Sequence, residues 1–364
     1  MIIFVLILPL ILCNYMRNNN YIRNGINNND KDIDISNTSA NRGKVSIIGA
    51  GFYGSQTAFR LAQYDIFHSI VLTDIVEDRS EGIALDINQS SSIEGFTTNI
   101  IGTTTIGDKG YEMTADSDII IITAGIPRKP GMSRSDLINI NTKIITSVVT
   151  NVVKYSPNAV IIVVSNPLDE MTALTQIVSK FPANRVIGQA GVLDSSRMSY
   201  FVAKKLNVPV YSVDCLTLGS HGETMVPVIS KCKVRTRDGS QPLRNLLNDI
   251  EIEEICNRTR DGGTEIVSLL KTGSAYFCPA SAACKMAKAI MLDSKEILPC
   301  HSFVNGQYGL EGLYIGVEAE ISRQGATVIE SSLSENELKQ LKLSSEIIKS
   351  KQKTLLESLN NLHN

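Results

Sequence analysis

KVSIIGAGFYG (residues 44–54) is the stretch that decides the fold. Its first half is a short β-branched run, the composition of a strand, and it breaks at Gly49. Its second half is a G-x-G-x-x-G, after which Phe52 to Tyr64 reads as a helix. In a strand–turn–helix of this kind Gly49 permits the tight turn and Gly51 lets the backbone approach a pyrophosphate. Gly54 allows the helix to pack closely on the strand. Ala50, Phe52 and Tyr53 complete the candidate phosphate-binding loop, and the helix start adds unpaired N–H groups with a partial positive charge. Asp74 ends the next strand, IVLTD (70–74). A carboxylate there accepts hydrogen bonds from ribose hydroxyls and repels a 2′-phosphate, so NAD is expected rather than NADP.

Beyond this unit, a helix is expected over Glu77–Gln89. DIIIITAG (118–125) and AVIIVVSN (159–166) are continuous apolar runs, as parallel strands covered on both faces require. Alternation of such strands with helical stretches predicts an α/β fold, a Rossmann doubly wound parallel sheet. After Gln189 the strands become more amphipathic, Arg235–Ser240 reads as a hairpin turn and Glu335–Leu359 as a charged amphipathic helix. The expected organisation is a leader or disordered extension over 1–43, an NAD-binding domain over 44–189 and a second, α+β substrate domain over 190–364.

Composition narrows the function. The 364 residues carry 35 Lys+Arg against 37 Asp+Glu, which excludes a dominant basic surface, so no nucleic-acid partner is expected. Hydrophobic residues at 43% and charged residues at 20% are those of a globular protein. Seven scattered Cys without C-x-x-C spacing point to reduced thiols and no structural metal, and hence to the cytoplasm. The opening run MIIFVLILPLILC is shorter than the roughly 20 apolar residues of a membrane span. An Asn-rich stretch follows it. Two readings stand open for 1–43: a targeting leader, organellar or secretory, and an over-extended start.

Four further segments carry chemistry: AGIPRKPGMSRSD (124–136), VSNPLD (164–169), VLDSSR (192–197) and GSHGETMVP (219–227). The first leaves a strand with three basic residues and enters a helix, the form of a lid at the carboxyl edge of a sheet. With the glycine loop, these segments resemble the lactate/malate dehydrogenase family in order and spacing from Lys44 to about Leu356. The lid is similar to that of its lactate-dehydrogenase-like malate dehydrogenases.

The resemblance implies a 2-hydroxy-acid dehydrogenase in which a proton acceptor titrates near neutrality, a role suited to His. Of four His, only His221 lies between glycines in a family motif; His68 falls between a helix and a strand, His301 in a hairpin and His363 at the end. On the same resemblance Asp194 is the partner of His221, and Arg197 holds the substrate C1 carboxylate through two parallel hydrogen bonds. Asn166 bonds the reacting oxygen, and Arg134 polarises the C2 carbonyl. Asn141 and the backbone of Val164, Ser165 and Asn166 touch the cofactor. Gly273–Ala275 lines a malate-type pocket or simply lets elements pack. Glu223 replaces a frequent family Asp.

Arg128 separates substrates. Family lactate enzymes commonly carry Gln there and malate enzymes Arg, facing a second carboxylate. The expected reaction is therefore the reversible, NAD-dependent conversion of (S)-malate to oxaloacetate, by a homo-oligomer, dimer or tetramer. A lactate or broad 2-hydroxy-acid dehydrogenase is the nearest alternative. A non-catalytic NAD-binding protein is a second, and the NAD-dependent glycosidases that share the fold are a third.

Overall fold

The computed structural model describes residues 42–127, 132–237 and 239–362. Six parallel strands come first: β1 (Gly43–Ile48), β2 (Phe67–Asp74), β3 (Asn99–Thr104), β4 (Ile119–Ile122), β5 (Val160–Val163) and β6 (Val186–Gly188). They lie in the order β3-β2-β1-β4-β5-β6. This reversal on either side of β1 is the doubly wound arrangement, and it opens a crevice at the carboxyl ends of β1 and β4. Four helices connect the strands: α1 (Phe52–Tyr64), α2 (Arg79–Glu94), α3 (Arg134–Tyr155) and α4 (Leu168–Ser179).

The all-apolar strands have a simple cause. Ile119, Ile121, Val160 and Ile162 face one layer, built on Leu61 of α1 and Ile87 of α2. Ile120, Ile122, Ile161 and Val163 face the other, built on Ile145 and Val149 of α3 and Leu174 of α4. Successive side chains point to opposite faces, and both faces are covered.

The second half adds α5 (Gly191–Leu206), β7 (Val213–Asp214), β8 (Thr217–Gly219), β9 (Met225–Pro227), β10 (Lys233–Thr236) and β11 (Gly239–Pro242). Then come α6 (Asp249–Leu270), α7 (Phe277–Met291), β12 (Glu296–Asn305), β13 (Glu311–Ser322), β14 (Gly325–Val328) and α8 (Glu335–Leu362). The main sheet does not stop at β6. It continues antiparallel through β12, β13, β8 and β9, with His301 of β12 paired to Gly188 of β6. Strands β10 and β11 form the expected hairpin, with Thr236 opposite Gly239. No helix among the described residues is long and apolar enough to cross a membrane.

Several expectations need correction. The helix placed at Glu77–Gln89 runs over Arg79–Glu94, because Asp78 holds a left-handed conformation (φ 60°) and delays the start. It ends where Gly95 turns left-handed (φ 79°). β2 begins at Phe67, wholly buried, so His68 lies inside a strand. His301 does lie in a hairpin, the antiparallel pair β12–β13, in the middle of a ten-residue strand. β13 is less amphipathic than expected, with Leu313–Val317 all buried, because α4, α7 and α8 all pack against it. The leader, Arg128 and His363 lie outside the described residues.

Candidate active site

The crevice is lined first by the glycine loop. Gly49 takes φ 113°, a conformation glycine adopts without strain, and a Cβ there would lie 2.8 Å from Thr123 Oγ1. At Gly54 a Cβ would lie 1.8 Å from the Gly49 carbonyl oxygen, so close packing of α1 on the turn requires glycine. Gly51 differs: a Cβ would meet nothing within 4 Å. Its missing side chain is not needed by the protein's own packing, and the space fits a bound pyrophosphate. The first turn of α1 has no side-chain cap, which leaves its N–H groups for such an anion. Asp74 accepts from Ala50 N at 2.7 Å and Val76 N at 3.0 Å, fixing a carboxylate beside the loop. These features fit NAD, with its phosphates at the helix end and its ribose at Asp74.

Phe52 stays exposed and stacks on Tyr276 at 5.4 Å. Tyr53 turns inward, where its hydroxyl donates to Pro279 O at 2.8 Å and lies 3.2 Å from Gln189 Oε1. Both Tyr53 and Gln189 line a cavity of about 1040 Å³ that also contains Val164, Asn166, Arg197 and His221.

Across that cavity stands a carboxylate with two cationic partners. Asp194 lies in the first turn of α5, and its Oδ2 is 2.8 Å from His221 Nδ1. This leaves Nε2 as the ring nitrogen for the cavity. Arg197, one helical turn along the same face, donates from Nη1 to Asp194 Oδ1 at 3.3 Å. Its Nε is buried and finds no hydrogen-bond partner among the described residues. The His221 side chain is 19% exposed and that of Asp194 only 3%. Burial works to lower the His221 pKa, but the Asp194 charge and hydrogen bond, helped by Asp169, outweigh burial and the opposing Arg197 charge. The imidazole therefore holds its proton above the ordinary histidine value.

The lid base is tied down. Asn141, 1% exposed, accepts from Ile126 N at 2.9 Å and donates to Asn166 O at 2.6 Å, so its side chain joins two loops that border the crevice. Ser165 donates to Ala124 O, a second tie between them. Asn166 precedes a cis-proline and faces the cavity. Arg134 opens α3 behind a capping box of Ser133 and Asp136. Arg128 lies outside the described residues, and of Arg134 only the backbone is described.

Several lining residues escaped the sequence reading. Gly262 and Gly263 sit inside α6, where glycine weakens a helix by about 1 kcal/mol relative to Ala. Their role is spatial: a Cβ at Gly262 would lie 3.1 Å from Arg197 Cδ, and one at Gly263 would lie 3.8 Å from Arg197 Nη2. Arg260 and Lys271 add two further cations to the lining, beside Gly273–Ala275. Behind His221 lies a second pair, His301 with Asp169, joined at 2.6 Å and sealed from solvent. Only the proximity of two elements far apart in sequence, α4 and β12, creates it, so no local signal announced it.

Residues 43–188 match the NAD binding domain of lactate/malate dehydrogenase, and residues 191–359 its alpha/beta C-terminal domain. A malate dehydrogenase of Bacillus israeli is 46% identical over 86% of this chain and 99% of its own length. The solved malate dehydrogenase of Salinibacter ruber is 42% identical, with a TM-score of 0.81 over 88% of this chain and all of that one. A lactate dehydrogenase of Cryptosporidium parvum, solved with lactic acid and NAD, is 39% identical with a TM-score of 0.80, over 86% of this chain and 98% of that one. Two matched domains spanning nearly the whole described chain, joined to this geometry, lead to one conclusion: the chain belongs to the lactate/malate dehydrogenase family.

Proposed function

We propose that the chain interconverts (S)-malate and oxaloacetate with NAD as the redox partner. The observation that carries this reading is the shared anchor of His221 and Arg197 on Asp194, beside one cavity, with a buried Arg197 donor still unpaired. Arg197 holds the C1 carboxylate, and Asn166 bonds the C2 oxygen. His221 Nε2 removes the hydroxyl proton in oxidation; in reduction the imidazolium returns it. Asp194 fixes the ring and stabilises its charged form. NAD, when bound, supplies the hydride acceptor. Arg134 stabilises charge developing on the C2 oxygen, and Arg128 receives the far carboxylate, which a monoacid lacks.

The relatives named malate dehydrogenase support this choice over lactate. Oxaloacetate should be reduced by NADH about a hundredfold or more faster than pyruvate in kcat/KM, because an unpaired, desolvated Arg128 costs a few kcal/mol. Equal rates would overturn the choice. Arg128→Gln should move preference toward pyruvate. The Cryptosporidium parvum lactate dehydrogenase keeps the lactate reading alive as the second outcome of that experiment. The finer assignments rest on the same footing: two functional domains meeting near residue 189, a leader over 1–43, a cytoplasmic place in the tricarboxylic acid cycle, and a homo-oligomer. Exposed Leu85 and Ile93 on α2 supply apolar surface for the last of these.

A further inference from the structure

His301 and Asp169 form a buried hydrogen-bonded pair, and neither residue lines the cavity. His301 is 1% exposed, in the middle of β12. Its strand neighbours are both glycines, Gly188 of β6 and Gly316 of β13. A Cβ at Gly188 would lie 2.8 Å from His301 Cβ and 2.6 Å from Thr172 Oγ1, so the sheet leaves room for the imidazole. Its Nε2 lies 2.6 Å from Asp169 Oδ1. The same oxygen accepts from the His221 backbone N–H at 3.4 Å. His221 is therefore held at two points, its ring by Asp194 and its backbone by Asp169.

A sealed carboxylate and imidazole are costly to desolvate, and an apolar pair of similar size would often be as stable. We propose that His301 is a positioning residue for the reaction: by donating to Asp169 it keeps that carboxylate ionised and aimed at the His221 amide, and so governs the proton affinity of the catalytic ring. The inference rests on the role assigned to His221 above. Burial would raise the Asp169 pKa, but the His301 hydrogen bond leads the opposing influences and brings it below the usual value. Asp169 in turn is among the groups that raise His221. His301 Nδ1 has no partner among the described residues, so the ring's one hydrogen-bond contact with the protein there is through Nε2 to Asp169. The other charges facing His221 are Asp194 and Arg197 from α5, with Arg260 of α6 and Lys271 across the cavity. Glu170 lies buried next to Asp169 in α4.

The test compares His301→Leu, His301→Gln, Asp169→Asn and the Leu/Asn double variant in the full chain. Two readouts are followed: the His221 ring titration by NMR, and the pH profile of kcat/KM for oxaloacetate with NADH. Without its donor the buried Asp169 takes up a proton, so His301→Leu should lower the His221 titration by roughly half a unit to one unit. Turnover on the alkaline limb should fall about three- to tenfold with KM little changed. Asp169→Asn should reproduce this, the double variant should add nothing, and His301→Gln should restore most of the wild-type profile. Unmoved titration in a folded His301→Leu chain overturns the proposal, as do multiplying effects in the double variant. Should His301→Leu fail to fold, a His301→Gln titration displaced as far as that of Asp169→Asn overturns it. Wild-type inactivity on oxaloacetate would instead defeat the substrate assignment, and the NMR titration would still decide the role of His301.

Discussion

The two ends of the cleft are built by opposite means. At the cofactor end a single run, Gly49–Gly54, supplies turn, loop and helix start, and Asp74 arrives on the adjacent strand of the same sheet. At the proton-transfer end Asp194 comes from α5, His221 from the β8–β9 connection, Asp169 from α4 and His301 from β12. A contiguous site keeps its geometry through local backbone conformation. A dispersed site keeps it through tertiary packing and buried hydrogen bonds, which is why the second end has supporting carboxylates and the first needs glycines.

The sharpest way to break this contrast is His221→Asn. It should lower kcat on the order of a thousandfold, the scale of a lost general acid–base group, while NADH binding measured by fluorescence titration is unchanged. Loss of both together would show that the ends are not independent. Asp194→Asn should act more mildly, about a hundredfold. Its pH dependence is the more telling result. In the proposed mechanism oxaloacetate reduction uses the His221 imidazolium, so in the wild type it should persist as pH rises past the ordinary histidine value and fail only above the raised His221 pKa. Removing the Asp194 charge should move that limb downward, and malate oxidation should gain at low pH in mirror fashion. A limb that stays in place would mean another group carries the proton.

The smallest effects should come from the loop, and its glycines should separate. Gly54→Ala presses a methyl against the Gly49 carbonyl and should cost about 2–3 kcal/mol in denaturant unfolding. Gly51→Ala has open space around it and should leave stability within about 0.5 kcal/mol, yet weaken NADH binding roughly tenfold. Equal unfolding midpoints for the two variants would remove the distinction between a packing glycine and one that makes room for a ligand.

The same division explains what could be read from the chain. The glycine loop, Asp74 and the apolar strands follow local rules of period and backbone freedom, and the structure places them as those rules require. His221, Asp194 and Arg197 carry no local rule that joins them, since Asp194 and His221 are far apart in sequence; the family resemblance supplied the link, and the 2.8 Å contact gives it geometry. His301 shows the limit. A hairpin is legible there, but not that Gly188 and Gly316 flank it on two neighbouring strands, nor that Asp169 reaches it from a helix distant in sequence. The glycines of α6 carry no local signal either, because what they make room for is Arg197 on another helix.

The pairing of His301 with Gly188 has a mechanical consequence. It stitches the parallel strands to the antiparallel ones, so the main sheet runs on as a single path of paired strands. Separating the two parts of the sheet at that seam would break the pairing of His301 with Gly188. Buried on both sides by paired strands, the seam should be among the last places to exchange its amide hydrogens.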